Sequence, residues 1–254
     1  MDADNLLRGW YTERKQQLEK SLASTVRNGD MVNGRNPIKN FIRDWGLWAF
    51  QLVPSWKAWI ELGPVREGMP KYSYDEGMPF VAELGGGVCF PQTYCVALSS
   101  GMQSPQVRFT DDVVFAEGKK KLFQIAVLLG HPGEAEDAMH DLDGLDEISH
   151  ELSPAEATFF VPRQSVLSAG NEQGTSGAGL FRTASGEEFA ASDLCVSRPA
   201  PRGYVEDAMY RCANRKRYVI LRFDRFVFAA CKGRQELELA ASRLSQLFPA
   251  SSTL

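Results

Sequence analysis

Apolar residues recur every three or four positions through the first sixty residues, and beyond residue 106 strand-like apolar runs alternate with helical spacing. Leu7, Tyr11, Arg14, Leu18, Leu22 and Val26 trace one face of a first helix. Asp4 or Asn5 is suited to cap it, and Asn28-Gly29 to end it in a left-handed turn. Pro37 fits the first turn of a second helix, whose stripe is Ile38, Phe41, Ile42, Trp45, Trp48, Ala49 and Leu52. Pro54 stops it, and Ser55 caps a short third helix, Trp56 to Leu62, closed by Gly63-Pro64. All five tryptophans (Trp10, Trp45, Trp48, Trp56, Trp59) fall in this region. Three helices joined by short turns have limited means of burying so much aromatic surface, which calls for a later domain, a partner chain or a ligand.

Residues 64–104 are rich in Gly, Pro and Tyr and read as an ordered connection with short strands at Phe80–Leu84 and Val88–Ala97. From Val107 the pattern alternates. Val107–Phe115, Lys121–Leu129 and Ala157–Val161 predict strands, with a helix at Gly133–Leu142. Residues 168–188, rich in Gly, Ser, Thr and Ala, predict an exposed loop. A helix follows at Val205–Ala213, then an antiparallel pair, Arg217–Phe223 and Arg225–Cys231, about Asp224, and an amphipathic helix at Gln235–Phe248. The domain reading is a helical segment, 1–64, a connecting loop, 65–106, and an α/β domain, 107–250. No internal repeat is evident.

Composition narrows the function classes. Hydrophobic residues at 44% and charged residues at 24% are ordinary for a globular protein. A net charge of -4 and the lack of a basic stripe argue against nucleic acid or an anionic membrane as partner. The first twenty residues are charged throughout, unlike a signal peptide, and no run of about 18 apolar residues predicts a membrane span. Five widely spaced cysteines fit a reduced, cytoplasmic protein better than a disulfide framework.

Several chemistries lack their motifs. Flavin or dinucleotide binding needs a GxGxxG turn between strand and helix. Gly174–Gly179 has the wrong spacing, and Gly85-Gly86-Gly87 lacks a following helix. No CxxC is present, so Cys89 and Cys95 read as packing residues. His131, His140 and His150 lie among acidic residues but match no zinc or calcium pattern, and read as part of a solvated acidic surface. No GxSxG elbow occurs, which leaves Ser100-Gly101 and Ser176-Gly177 as loop residues. Asp111-Asp112 read as flanking a strand bend.

Three segments resemble a known family in order and spacing. The run Leu6-Leu7-Arg8-Gly9-Trp10-Tyr11-Thr12-Glu13-Arg14 resembles the helix that closes the FAD domain of aromatic-ring monooxygenases of the phenol hydroxylase type. Lys121–Leu129 is similar to the first strand of their C-terminal thioredoxin-like domain, and Leu221-Arg222-Phe223-Asp224-Arg225-Phe226-Val227 to its late strand turn. Phe223 stands where that family has proline, which questions how tight the turn is. The resemblance covers nearly the whole chain. It implies an α/β fold with N-terminal helices on a thioredoxin-like domain lacking CxxC. It also implies a homodimer and, since Met1 comes just before the first helix, a remnant without flavin machinery. In the family the segment resembling Phe90-Pro91-Gln92 lies near the substrate-facing side.

One constellation then remains for chemistry, the aromatic and amphipathic residues of positions 41–94. An apolar hollow with a few polar donors suits a hydrophobic small molecule. Holding two reactive ends of one molecule together supplies up to about 7–11 kcal/mol in ideal cases, without acid, base or cofactor. Flavoprotein hydroxylases of this type are frequent in fungal secondary metabolism. The leading expectation is therefore a cofactor-independent cyclase, a pericyclase of the intramolecular Diels–Alder type, acting on a terpenoid or polyketide intermediate. Trp45, Trp48, Trp56, Tyr72 and Phe90 would shape the cavity, and Gln92, Tyr94 or Tyr74 would donate hydrogen bonds. The alternative is a non-catalytic accessory or binding subunit derived from a split flavin monooxygenase. A third reading is an isomerase or dehydratase using a tyrosine or Asp111/Asp112.

Overall fold

The computed structural model describes residues 3–57, 71–98, 106–168, 179–196 and 203–248. It divides into two compact units, residues 2–78 and 79–254, so the division falls inside the segment read as a connection.

The first unit is helical. Helix α1, Ala3–Val32, starts ahead of Asp4 and Asn5, which therefore lie in its first turn instead of capping it. It also continues past Asn28-Gly29, where the sequence predicts a stop. The extra turn has a cause: Arg43 donates from Nη1 to the carbonyls of Met31 and Val32, at 2.6 and 3.1 Å, and satisfies acceptors that a helix end leaves orphaned. Helix α2, Pro37–Gln51, begins at the predicted proline, and the side chain of Asn36 caps it by accepting from the N–H groups of Ile38 and Lys39. Helical turns resume at residues 54–57, and the rest of the predicted third helix, with Trp59, lies outside the described residues. Gln16 ties α1 to the tyrosine-bearing segment. Its amide donates to the Ser73 carbonyl at 2.8 Å and accepts from the Ser73 N–H at 2.9 Å, as a backbone partner would.

The second unit is a seven-stranded open sheet with helices between strands. Its elements run β1 (Tyr94–Ala97), β2 (Val107–Phe109), α3 (Thr110–Val114), β3 (Phe123–Leu128), α4 (Ala135–Leu142), α5 (Leu145–Ile148), β4 (Thr158–Val161), α6 (Arg163–Ser168), β5 (Leu180–Thr183), α7 (Gly186–Ala190), α8 (Ala208–Cys212), β6 (Tyr218–Arg222), β7 (Val227–Cys231) and α9 (Arg234–Leu247). The spatial order is β2-β1-β5-β4-β3-β6-β7. Strands β5, β4 and β3 are parallel, and antiparallel pairs flank them on both sides. Every residue of β3, β4, β6 and β7 is buried, which explains why these strands read as unbroken apolar runs and not as alternations. On one face Val113, Val114, Met209 and Ala213 pack over Ala126, Leu128, Phe160, Val219 and Leu221. Helix α9 packs against β7, α4 and α5, with Leu237, Ala240, Ala241 and Leu244 buried.

Four local expectations change. Val107–Phe115 is not one strand: it turns into α3 at Thr110, whose hydroxyl accepts from the Thr93 N–H at 3.0 Å. Asp111 and Asp112 thus occupy the first turn of a helix, where acidic residues are favoured, and do not flank a strand bend. Residues 168–188 are not all loop, because β5 lies within them between β4 and β1 and is followed by α7 with a Ser185–Glu188 capping box. Phe80–Leu84 is a turn of 3-10 helix at Ala82–Leu84, not a strand. The segment that follows runs along the outer edge of β7: Val81 donates to Phe228, Gly87 to Val227, Val227 to Val88 and Phe90 to Arg225, each at 2.8 Å. This covers an edge that would otherwise offer unpaired backbone groups.

Lys119 ties the end of α3 to β4. Its Nζ donates to the Val114 carbonyl at 2.9 Å and to the Thr158 hydroxyl at 2.5 Å. Burial lowers its pKa from 10.5 to about 8, against the opposing pull of Glu156. Between pH 8 and 10.5 the unfolded chain therefore holds more protons at this site than the folded one. Taken alone, this site makes stability rise with pH across that window, by about 1 kcal/mol once partial solvent screening is allowed for; the buried thiols of Cys95, Cys212 and Cys231, raised above their ordinary value of 9.0, act in the opposite sense there. Urea unfolding at either end of the window isolates the lysine when wild type and Lys119→Met are compared: without the lysine, stability should fall more steeply with rising pH, and an unchanged slope would refute this assignment.

Candidate functional site

The residues singled out for chemistry divide between the two units: Trp45, Trp48, Trp56, Tyr72 and Tyr74 lie in the helical unit, and Phe90, Gln92 and Tyr94 in the α/β unit. Each set has its own surroundings.

Phe90 sits in the core of the α/β unit, 3% exposed, against Cys95, Val113 and Val227 among others. Gln92, two residues on, points to a polar cluster. Its Nε2 donates to Asp111 Oδ2 at 3.0 Å, and the same oxygen accepts from Arg225 Nη1 at 2.6 Å. Arg225 Nη2 also lies 3.7 Å from Cys89 Sγ. Three elements build this cluster: the segment ahead of β1, the first turn of α3, and the turn between β6 and β7. That turn is tight with Phe223 in it. Arg225 N donates to Arg222 O at 3.0 Å, and Arg225 takes a left-handed φ of 69°, the geometry of a three-residue hairpin that usually employs glycine. Asp224 braces it, accepting from Arg222 Nε at 3.1 Å and from the Phe226 N–H at 3.3 Å.

Asp111 and Arg225 are 114 positions apart and both partly buried, so their ion pair holds the hairpin turn to α3. Asp111→Ala should cost about 1–2 kcal/mol by leaving the guanidinium without its counter-charge. Urea unfolding checks this, and a loss under about 0.3 kcal/mol would show the pair to be idle.

Tyr94 belongs to an aromatic cluster. Its ring stacks on Phe189 at 4.0 Å and 8°, with Tyr204 at 4.6 Å and Phe109 at 5.7 Å. Tyr204 joins two strands, since its hydroxyl donates to Ala184 O at 2.9 Å and accepts from the Tyr94 N–H at 3.3 Å. Burial pushes the Tyr204 phenol up to about 12. The cysteines are similarly quiet: burial raises Cys95 and Cys231 to about 12 and Cys212 to about 11, which keeps them as thiols.

The helical unit presents the opposite picture. Trp45, Trp48 and Trp56 are exposed, although Trp56 also meets Phe50 at a ring distance of 4.9 Å. Tyr74 is exposed and Tyr72 is buried. No side chain of α2 is buried. Leu7, Tyr11, Leu18, Leu22 and Val26, the stripe of α1, are also exposed, whereas the buried positions of this helix include Gly9 and Glu13.

Each histidine has a single acidic neighbour, Glu134, Asp143 or Glu151, at 3.1–3.2 Å. Among the described residues no three His, Cys, Asp or Glu side chains are grouped so as to hold a metal ion. Also among the described residues, no helix is long and apolar enough to cross a membrane.

Residue type marks Gln92 and Tyr94 in the sequence but says nothing of their partners. Asp111 reads in the sequence as flanking a strand bend, not as a partner of Gln92. Arg225, Phe189 and Tyr204 carried no local signal, because each acts across a fold that brings distant positions together. Comparison with known proteins adds no assignment: no family model matches the chain, and no curated protein or solved structure matches it significantly.

Proposed function

We propose that this chain is a non-catalytic binding subunit, an α/β unit joined to a helical unit that docks on an apolar surface. The observation that carries the reading is α2, a helix with an apolar stripe and no buried side chain. Contiguous apolar surface of this extent marks interaction sites in soluble proteins. The α/β unit supports the same reading from the other side, because Gln92 is engaged by a carboxylate and Tyr94 by a ring stack. A substrate carbonyl competing for Gln92 would have to replace a charge-assisted hydrogen bond.

Descent from the thioredoxin-like domain of flavoprotein hydroxylases is part of this proposal. The run β3-α4-β4 followed by β6-β7-α9, with β4-β3-β6-β7 as neighbours, supports it. With no CxxC, such a domain serves as scaffold.

The test is a double substitution, Trp45→Lys with Trp48→Glu. If these rings serve docking, the unfolding free energy of the chain in urea, measured well below about 1 µM so that no second copy occupies the face, should hold within about 0.5 kcal/mol. A loss of 2 kcal/mol or more, roughly the cost of emptying a core position, would place the rings in a core and end the docking reading.

A cofactor-free cyclase acting on a hydrophobic terpenoid or polyketide intermediate is the second reading. Trp45, Trp48, Trp56 and Tyr74 are all exposed and belong to the same unit, which favours it, since they offer apolar rings and a hydroxyl to a ligand. Incubating a linear polyene precursor with the purified chain decides it: ring-closure rates and isomer ratios equal to those in buffer would reject the reading for that precursor.

A further inference from the structure

We infer that the occupant of the α2 face is α2 of a second copy of this chain, packed across a two-fold axis. The inference rests on the docking reading and names its partner. Within α2 and its capping residue, Ile38, Trp45 and Leu52 recur at intervals of seven, as do Phe41 and Trp48. A seven-residue repeat keeps a seam on one side of a helix and suits a partner helix of the same periodicity. A second α2 provides that periodicity, and a two-fold axis makes one patch complementary to itself.

The exposed area is of the right size. Ile38 and Phe41 are each 70% exposed, Trp45 60% and Trp48 56%, and Ile42 and Leu52 are also exposed. Taking aromatic side chains at about 150–250 Å² each, the face presents roughly 600–700 Å². A standard interface buries about 800 Å² per partner. Flanking stems such as those of Lys39 and Gln51 bring the patch to that range. The chemistry also fits an interface core, where tryptophan and phenylalanine are enriched and charges depleted.

A lipid surface is the competing cover, and the polar face of α2 is poorly suited to it. Interfacial helices carry several basic residues opposite their apolar face. Here Lys39 and Arg43 stand against Asp44, and Arg43 is committed to Asp44 at 2.7 Å and to the α1 carbonyls.

Sedimentation velocity on the full chain, from about 1 to about 100 µM, tests the pairing. The wild type should form a dimer within that range. Trp45→Lys/Trp48→Glu should weaken it at least about a hundredfold, as loss of two interface anchors does. Ile38→Asp is an independent check at the first turn of α2, where an acidic residue favours the helix, and it should also weaken the dimer. A wild type that stays monomeric throughout overturns the pairing. The docking reading survives that result if the double variant keeps its unfolding midpoint and falls with it if the midpoint drops. A dimer that persists unchanged in both variants overturns the α2 assignment. Flotation of the wild type with phosphatidylcholine–phosphatidylserine vesicles, lost in the double variant, overturns it in favour of lipid.

Discussion

Gly86→Ala is expected to destabilise the chain by about 3 kcal/mol or more, because the new methyl group has no room to form. A Cβ at this position would lie 2.4 Å from the Phe228 carbonyl oxygen and 2.9 Å from both the N and O of Val81. All three atoms are backbone, so no side chain can swing aside. Gly86 also donates to Val81 O at 2.9 Å, within the segment that covers the edge of β7. Relief therefore means parting that segment from the strand, with loss of the bonds from Val81 to Phe228 and from Gly87 to Val227. Urea unfolding would give the cost, and amide exchange at Val81 and Gly87 would show where it falls. Gly118→Ala is the control, since nothing lies within 4 Å of a Cβ there; it should be neutral or slightly stabilising. Similar midpoints for the two variants would mean that the glycine run does not permit this close approach.

Tyr94→Ala should cost about 3 kcal/mol, the lower end of the range for removing a buried aromatic ring. The ring is half-buried, but it stacks on Phe189 and touches Phe109 and Tyr204, so its removal opens one side of a four-ring cluster. Tyr94→Phe keeps the stack and should cost about 1 kcal/mol or less. The pair of variants separates two roles for a residue that the sequence marks as a hydrogen-bond donor. A large gap between them identifies the ring as the element that matters to the fold. Equal costs would move the importance to the hydroxyl and revive a chemical role.

The parts of the fold that could be read from the sequence are those whose signal is local. Phe123–Leu128, Thr158–Val161, Tyr218–Arg222 and Val227–Cys231 announce themselves as dense apolar runs because the sheet is covered on both faces. Pro37 and Asn36 mark the start of α2 by local chemistry alone. Leu180–Thr183 was hidden in a run of small residues, because only Leu180 and Phe181 are strongly apolar and the strand's place depends on pairing with β4 and β1. The extension of α1 past Gly29 depends on Arg43, on the next helix.

The candidate site divides in the same way. Residue types at Gln92, Tyr94 and Trp45 can be read directly, but what they touch cannot. Asp111 reaches Gln92 and Arg225 only after the chain has folded, and Phe189 reaches Tyr94 across β1 and α7. Periodicity identified the apolar stripes of α1 and α2 correctly but could not say whether they would be covered. Helical spacing is the same for a stripe that meets a core and for one that awaits a partner. The exposure of Leu18, Leu22, Phe41 and Trp45 decides between these.

That exposure has a direct optical readout, because all five tryptophans lie within the first 59 residues and none in the α/β unit. Indole emission therefore reports on the helical region alone. In the dilute chain carrying Trp59→Phe, so that Trp10, Trp45, Trp48 and Trp56 alone report, emission should be that of solvent-exposed indole, strongly quenched by iodide, and it should move to the blue with loss of quenching as the docking face becomes occupied. Blue, iodide-resistant emission from the dilute monomer would mean that these rings are already buried, and would contradict the account.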